Sequence, residues 1–246
     1  MPRWLTPLGR VFYALGLIGI GIQHFIFRDF IAVMIPYWPP AIPGRAFWAY
    51  GMGVALIAAG CVLALNLRVR ITGAVLGAVI VVWVLADHLP FTLSGHPGIL
   101  AVWSNPLKAL TLAGGAWVIS GRDNLVAVGR AFLAVMLVVF GIVHFVYPAF
   151  VAALVPAWIP AHVFWAYSAG VALIAAGLAL ITGIQARLAA LLLGTMIFLW
   201  FILLHIPRAI ADPHSGRGNE WTSVFEALAF SGIAFILASR AEKRGR

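Results

Sequence analysis

The chain has 246 residues, of which 63% are hydrophobic and only 9% charged, against the roughly 25% charged residues of a soluble domain. That balance, with a mean hydropathy of +1.04, excludes an ordinary water-soluble globule. The net charge of +9 and a pI near 10.8 would suit nucleic acid in a soluble protein, but in so apolar a chain they report topology, and no nucleic-acid partner is expected. The single cysteine, Cys61, excludes an intramolecular disulfide, a CxxC pair, a haem attachment motif and an all-cysteine iron–sulfur site. It aligns with Leu178 and reads as a packing residue.

In chain order, apolar runs fall at about 9–27, 46–66, 71–91, 105–120, 127–146, 163–184, 188–206 and 221–239. Arg, Pro, Gly and Asn breakers separate them, as helix ends require. Runs near 20 residues fit membrane helices, whereas membrane strands alternate over about 10. Eight spans are therefore expected. The first follows Arg3 and Arg10 as a signal peptide would, but it carries His24 and has a later counterpart, so a span rather than a cleaved leader is expected.

With eight spans both termini share one side. That side collects 11 cations against 2 acids, and the other 5 against 5. The positive-inside rule then makes both termini cytoplasmic in a bacterial inner membrane.

The strongest signal is an internal duplication. Phe47 to Gly60 reads FWAYGMGVALIAAG and Phe164 to Gly177 reads FWAYSAGVALIAAG, identical at 12 of 14 positions. At an offset of 120, Arg10, Gly21, His24, Phe25, Pro36, Trp38 and Pro40 align with Arg130, Gly141, His144, Phe145, Pro156, Trp158 and Pro160. At 117, Arg70, Gly77, Trp83, His88 and Pro90 align with Arg187, Gly194, Trp200, His205 and Pro207. At 118, His96, Trp103 and Gly114 align with His214, Trp221 and Gly232. The expected fold is all-α, two parallel four-helix repeats over 1–122 and 123–246, related by a pseudo-two-fold along the membrane normal. An even number of helices per unit makes the repeats parallel rather than inverted.

All seven histidines map to the outer half or its loops. At about 1.5 Å per residue, His24 lies about 21 Å from Arg10 and His88 about 27 Å from Arg70. His144 and His205 repeat these spacings. Gly77 and His88 share a helix face, and Gly21 sits one turn below His24, so small residues allow close helix approach beneath each histidine. Tyr50, Gly53, Ile57 and Gly60 form one seam, matched by Tyr167, Gly170, Ile174 and Gly177. These faces predict a pocket in each unit, walled by its first three helices and open outward. Tyr50, Tyr167, Trp83 and Trp200 are candidates to line it.

On the fourth helices, Lys108 and Glu226 are ionisable groups within spans, which are functional candidates by default. Asp87 is the expected partner of Lys108; Glu226 is expected to face His205, or Lys108 across the pseudo-two-fold. The four span-end histidines suit axial ligation of haem, partial ligation of a metal, or hydrogen bonding and proton transfer to a quinone carbonyl. Equally, each would satisfy a neighbouring backbone carbonyl or sit among headgroups. The Pro-rich segments 35–40 and 155–160 read as loops anchored by Trp at the interface or as lids over the pocket. His96, His162 and His214 read as solvated loop residues.

These residues resemble the DoxX family of four-helix membrane proteins, in tandem. The likeness rests on G-I-x-H-F (Gly21 to Phe25, Gly141 to Phe145), the Pro-rich loop, W-A-Y-x-x-G-x-x-L-I-A-A-G on the second helix, the histidine-proline end of the third (Ala86 to Pro90, Leu203 to Pro207) and Glu226. Lys108 departs from the acid the family carries there. The resemblance implies an integral four-helix unit, in some relatives a subunit of thiosulfate:quinone oxidoreductase or of a membrane redox complex; the Surfeit-locus cargo receptors are similar more distantly. The expected function is a quinone-linked redox subunit with a periplasmic or membrane redox partner. His24, His88, His144 and His205 would bind the cofactor, quinone or haem, or relay protons, with Asp87, Lys108 and Glu226 setting the charge. The alternative is a non-catalytic scaffold or a carrier of lipid or protein cargo, using an apolar groove between the units.

Overall fold

Long apolar segments satisfy their backbone groups without water only by closing hydrogen bonds within the segment, and the chain is helical accordingly. The structure, a computed structural model, describes residues 4–95 and 97–240; His96 and the cations Arg3, Lys243, Arg244 and Arg246 lie outside the described residues. In chain order the helices are α1 (Leu5–Ile26), α2 (Arg45–Ala64), α3 (Val69–Trp83), α4 (Leu89–Ser94), α5 (Ser104–Ser120), α6 (Asp123–Val146), α7 (Pro148–Leu154), α8 (His162–Thr182), α9 (Ala186–Trp200), α10 (Ile206–Ala211) and α11 (Asn219–Arg240).

Two π-helical turns, Val84–His88 and Phe201–His205, join α3 to α4 and α9 to α10. Pro90 and Pro207 follow two residues later. A proline ring collides with the carbonyl four residues back and lacks the N–H that would bond it, and a wider turn relieves the collision. The wide turn sets every later residue back by about one position relative to a regular helix.

Among the described residues, seven helices are long and apolar enough to cross a membrane: Leu5–Ile26, Arg45–Ala64, Val69–Ser94, Asp123–Val146, His162–Thr182, Ala186–Ala211 and Ser215–Arg240. These mark a multi-pass membrane protein. The remaining expected span is α5, which has 17 residues.

Packing departs from two self-contained bundles. The first helix of each repeat lies against the second helix of its own repeat and the fourth of the other, α1 on α2 and α11, and α6 on α8 and α5. The third helices close on the fourth of their own repeat, α3 on α5 and α9 on α11, while α2–α3 and α8–α9 contacts are sparse. The fourth helices α5 and α11 touch at the centre, and nearly every residue from Ala109 to Ser120 and from Thr222 to Ala238 is buried. The pocket expected inside each repeat is therefore not walled as predicted. Its first and fourth helices are shared across the repeats.

Glycines make the shared contacts close. Gly9 and Gly232 meet backbone to backbone across α1 and α11, as do Gly114 and Gly129 across α5 and α6. The glycines of the predicted seams are in close contact: a Cβ on Gly21 would stand 2.9 Å from the Gly53 carbonyl oxygen, and one on Gly141 2.8 Å from that of Gly170. Cys61, expected to pack inside, is exposed on α2. Gly232→Val should destabilise the protein by about 2 kcal/mol through overpacking, read as a lower melting midpoint in detergent, while the same change at Gly51, where a Cβ meets nothing within 4 Å, should leave the midpoint within the scatter of the wild type.

Candidate functional site

The two central helices carry opposite charges at equivalent positions, and the fold brings them together: Lys108 Nζ lies 2.8 Å from Glu226 Oε2. Their side chains are 20% and 3% exposed. Of the partners considered from sequence, Lys108 across the repeats is the one Glu226 takes. Asp87 is not the partner of Lys108. The π turn sets it toward the loop after α1, where its carboxylate receives the Tyr37 N–H at 3.5 Å. Glu226 Oε1 is buried and has no hydrogen-bond partner, so half of the carboxylate is unsatisfied in a place where an unpaired polar atom is costly.

Lys108 lines a small cleft with Asn105, Arg217, Asn219, Thr222 and the loop residues Phe30 to Val33, Ile35 and Pro36; Glu226 does not line it. The cleft measures about 40 Å³, room for about three waters at 10–15 Å³ each.

The histidines divide by repeat. In the first, His24 is fully buried, its Nδ1–H donating to the Ile20 carbonyl at 2.8 Å and its Nε2 accepting the Ile31 N–H at 3.5 Å. His88 donates from Nε2 to the Val33 and Met34 carbonyls at 3.1 and 3.2 Å, with Nδ1 buried and unpartnered. The loop between α1 and α2 thus fills the space between the two histidines. In the second repeat, among the described residues, no loop segment bonds both His144 and His205. His144 donates to the Phe140 carbonyl at 2.7 Å, and His205 Nδ1 is buried without a partner, within electrostatic reach of Lys108, Glu220 and Arg208.

The remaining candidates pack rather than converge. Tyr50 stacks on Phe25 with ring centroids 5.3 Å apart, and Tyr167 on Phe145 at 5.4 Å. Tyr167 is exposed rather than turned into a seam. Trp83 and Trp200 are half-buried against the apolar core. His162 is half-buried and His214 exposed.

Axial haem ligation needs one free lone pair on each of two facing nitrogens. His24 has both ring nitrogens engaged, so the first pair does not fit a haem. Among the described residues, no three His, Cys, Asp or Glu side chains come together as metal ligands. The cleft offers hydrogen-bond donors suited to a quinone carbonyl in Lys108 and Asn105, but its closed volume excludes a quinone ring.

Two features escaped sequence reasoning. Gln23, 2% exposed, donates to the Gly218 carbonyl at 2.9 Å, and the Thr222 hydroxyl reaches Gln23 Oε1 at 3.2 Å. Tyr13 donates to the Leu112 carbonyl at 2.6 Å. Both tie α1 to its neighbours in the centre. The available signal was asymmetry, since Val143 and Leu133 occupy the aligned positions in the second repeat.

These features define a polytopic helical membrane protein with a buried ion pair at its centre. A family model described as a domain of unknown function (DUF8561) matches residues 133–229, all within the second repeat and including His144, His205 and Glu226. No curated protein and no solved structure matches the chain.

Lys108→Met or Glu226→Leu alone should each destabilise the protein by about 3–5 kcal/mol by leaving one buried charge unpaired, whereas the double variant should recover most of that loss. A double-mutant cycle by detergent-titrated unfolding reads the difference.

Proposed function

We propose that the chain is a DoxX-like protein of the bacterial inner membrane, with eight spans in two parallel four-helix repeats about a pseudo-two-fold along the membrane normal and both termini cytoplasmic. On this reading α5 is the eighth span. Support comes from the reciprocal packing of each first helix on the other repeat's fourth and from the π turn and histidine-proline sequence that both third helices carry.

The function proposed is proton handling in a quinone-linked redox process at the periplasmic side. The observation that carries it is the Lys108–Glu226 pair: two protonatable groups 2.8 Å apart, one lining a polar cleft and the other holding an unpartnered oxygen. Charges held within spans mark ion and proton routes. A quinone, if bound once the cleft opens, would supply the two-electron chemistry, taking up two protons and drawing electrons from a membrane or periplasmic redox partner. Lys108 would donate one proton at the cleft and regain it from solvent entering there, the second proton coming from the same solvent, while the Glu226 carboxylate holds Lys108 in its ammonium form. Glu220 and Arg208, a two-point pair at 3.0 and 2.8 Å, bias that exchange by their charge, and His205 lies within their electrostatic reach.

A second reading, a non-catalytic scaffold or lipid carrier, is favoured by an apolar groove of about 340 Å³ walled by Ala172, Ala175, Ala176 and Ala179 of α8 and by Leu188 to Met196 of α9. The groove lies within the second repeat rather than between the units. Solvent extraction of the purified protein decides between the readings. The quinone reading expects extractable quinone and, for Lys108→Met in native membranes, a loss of quinone-dependent respiration of about a hundredfold, the lower end of the effect of losing one positioned proton-transfer group. Phospholipid without quinone, and respiration unchanged in both Glu226→Gln and Lys108→Met, would transfer the proposal to the carrier.

A further inference from the structure

The same stretch of sequence takes two different structures in the two repeats. Phe30-Ile31-Ala32-Val33-Met34-Ile35-Pro36 aligns with Phe150-Val151-Ala152-Ala153-Leu154-Val155-Pro156. In the first repeat it is a loop pressed into the protein, with Phe30, Ile31, Val33, Met34 and Ile35 all buried. In the second it is largely the helix α7, which lies on α8 and turns Phe150 outward. Phe30 is 3% exposed and its counterpart Phe150 is 64% exposed. Trp38 stacks on Phe30 at 4.9 Å, while its counterpart Trp158 is 69% exposed.

The residues that hold the inserted form are all specific to the first repeat or engaged only there. His24 accepts the Ile31 N–H, and His88 donates to the Val33 and Met34 carbonyls. Asp29 binds Arg45 through two contacts, at 2.5 and 3.0 Å, and Arg217 at 2.7 Å. Alanine and proline replace it and its neighbour in the second repeat: Arg28-Asp29 becomes Pro148-Ala149. Arg28 sits at φ 52°, a left-handed conformation that proline's ring forbids. At Pro148 the same ring starts a helix, since proline is preorganised for the first helical position.

We infer that residues 28–36 are a two-state lid over Lys108, inserted and latched by His24, His88 and Asp29 in the closed form and released to a surface helix like α7 in the open one. This rests on the reading of the Lys108–Glu226 pair as the working site and adds its regulation: the loop supplies most of the wall of the cleft beside Lys108, so its withdrawal both uncovers the ammonium and enlarges a space now sized for waters. His24 Nε2 must carry a lone pair to hold Ile31, and the Asp29 carboxylate must be charged to hold two arginines.

The test places a cysteine at Asn105, which lines the cleft, in a Cys61→Ala background that removes the exposed native thiol. A small charged thiol reagent is applied to the detergent-purified protein and the labelling rate is read by mass spectrometry. Asp29→Asn and His24→Leu should each speed labelling about fivefold, the factor that one lost latch hydrogen bond implies. The paired change Arg28→Pro with Asp29→Ala, which writes the second repeat's residues into the first, should speed it further. Asp29 is near the surface, so Asp29→Asn retains a readout if the buried His24 change impairs folding, with monodispersity on gel filtration as the check. Equal labelling rates in the latched protein, in Asp29→Asn and in the paired variant would overturn the lid. The measurement involves no quinone: accelerated labelling without extractable quinone keeps the lid and removes the redox reading, and the reverse removes the lid alone.

Discussion

A lysine and a glutamate 2.8 Å apart at the centre of an apolar bundle constrain everything around them. The Glu226 carboxylate is not tolerable alone in that position, because desolvation there costs several kcal/mol and Lys108, which reaches the cleft, is the group that offsets it. The pair therefore requires α5 and α11 to meet, which places the fourth helices of both repeats in the middle and leaves α2, α3, α8 and α9 at the periphery. The first helices then bridge between repeats, with Gly9 against Gly232 and Gly114 against Gly129 admitting the close approach. Helix association in lipid lacks the hydrophobic drive available in water and depends on such packing and on polar contacts. The ion pair and the glycine contacts supply both.

Duplication explains the architecture, and divergence explains the site. Two identical repeats would place like charges at the centre, lysine on lysine or glutamate on glutamate. One opposite substitution converts repulsion into a bond. The same logic runs through the neighbouring polar groups: Gln23 and Thr222 join α1 to α11, and Tyr13 joins α1 to α5, each at a position where the other repeat is apolar or unbonded. The loop at 28–36 is the largest of these divergences. It gives one repeat a plugged end, whose loop walls the cleft beside Lys108, and leaves the other with a surface helix.

Much of the frame was legible in the residues. Seven of the eight apolar runs appear as helices long enough to span, the glycine seams below His24 and His144 are in contact, and Lys108 opposite Glu226 was among the pairings the alignment allowed. The place of Asp87 beside His88 suggests Lys108 as its partner, but Asp87 lies within a π turn, where the regular 3.6-residue period does not hold, and it meets the Tyr37 N–H while Glu226 takes Lys108. Fourfold histidine symmetry suggested four equal ligands, whereas His24 and His88 hold the backbone of the α1–α2 loop and His144 bonds only within its own helix, because the segment that meets them follows Arg28-Asp29 in one repeat and Pro148-Ala149 in the other.

The sequence by itself determined the solvent, the helical class and the repeat, because backbone satisfaction in lipid and local periodicity are properties of a segment read alone. It also determined which groups are unusual, since a charge within a span is visible without coordinates. Only the tertiary structure decided which helices share a face, that the two charges meet across the repeats, and that one loop occupies the space between two histidines. Those outcomes depend on side chains more than a hundred residues apart competing for one small volume. The alignment supplied the competitors, and the packing chose among them.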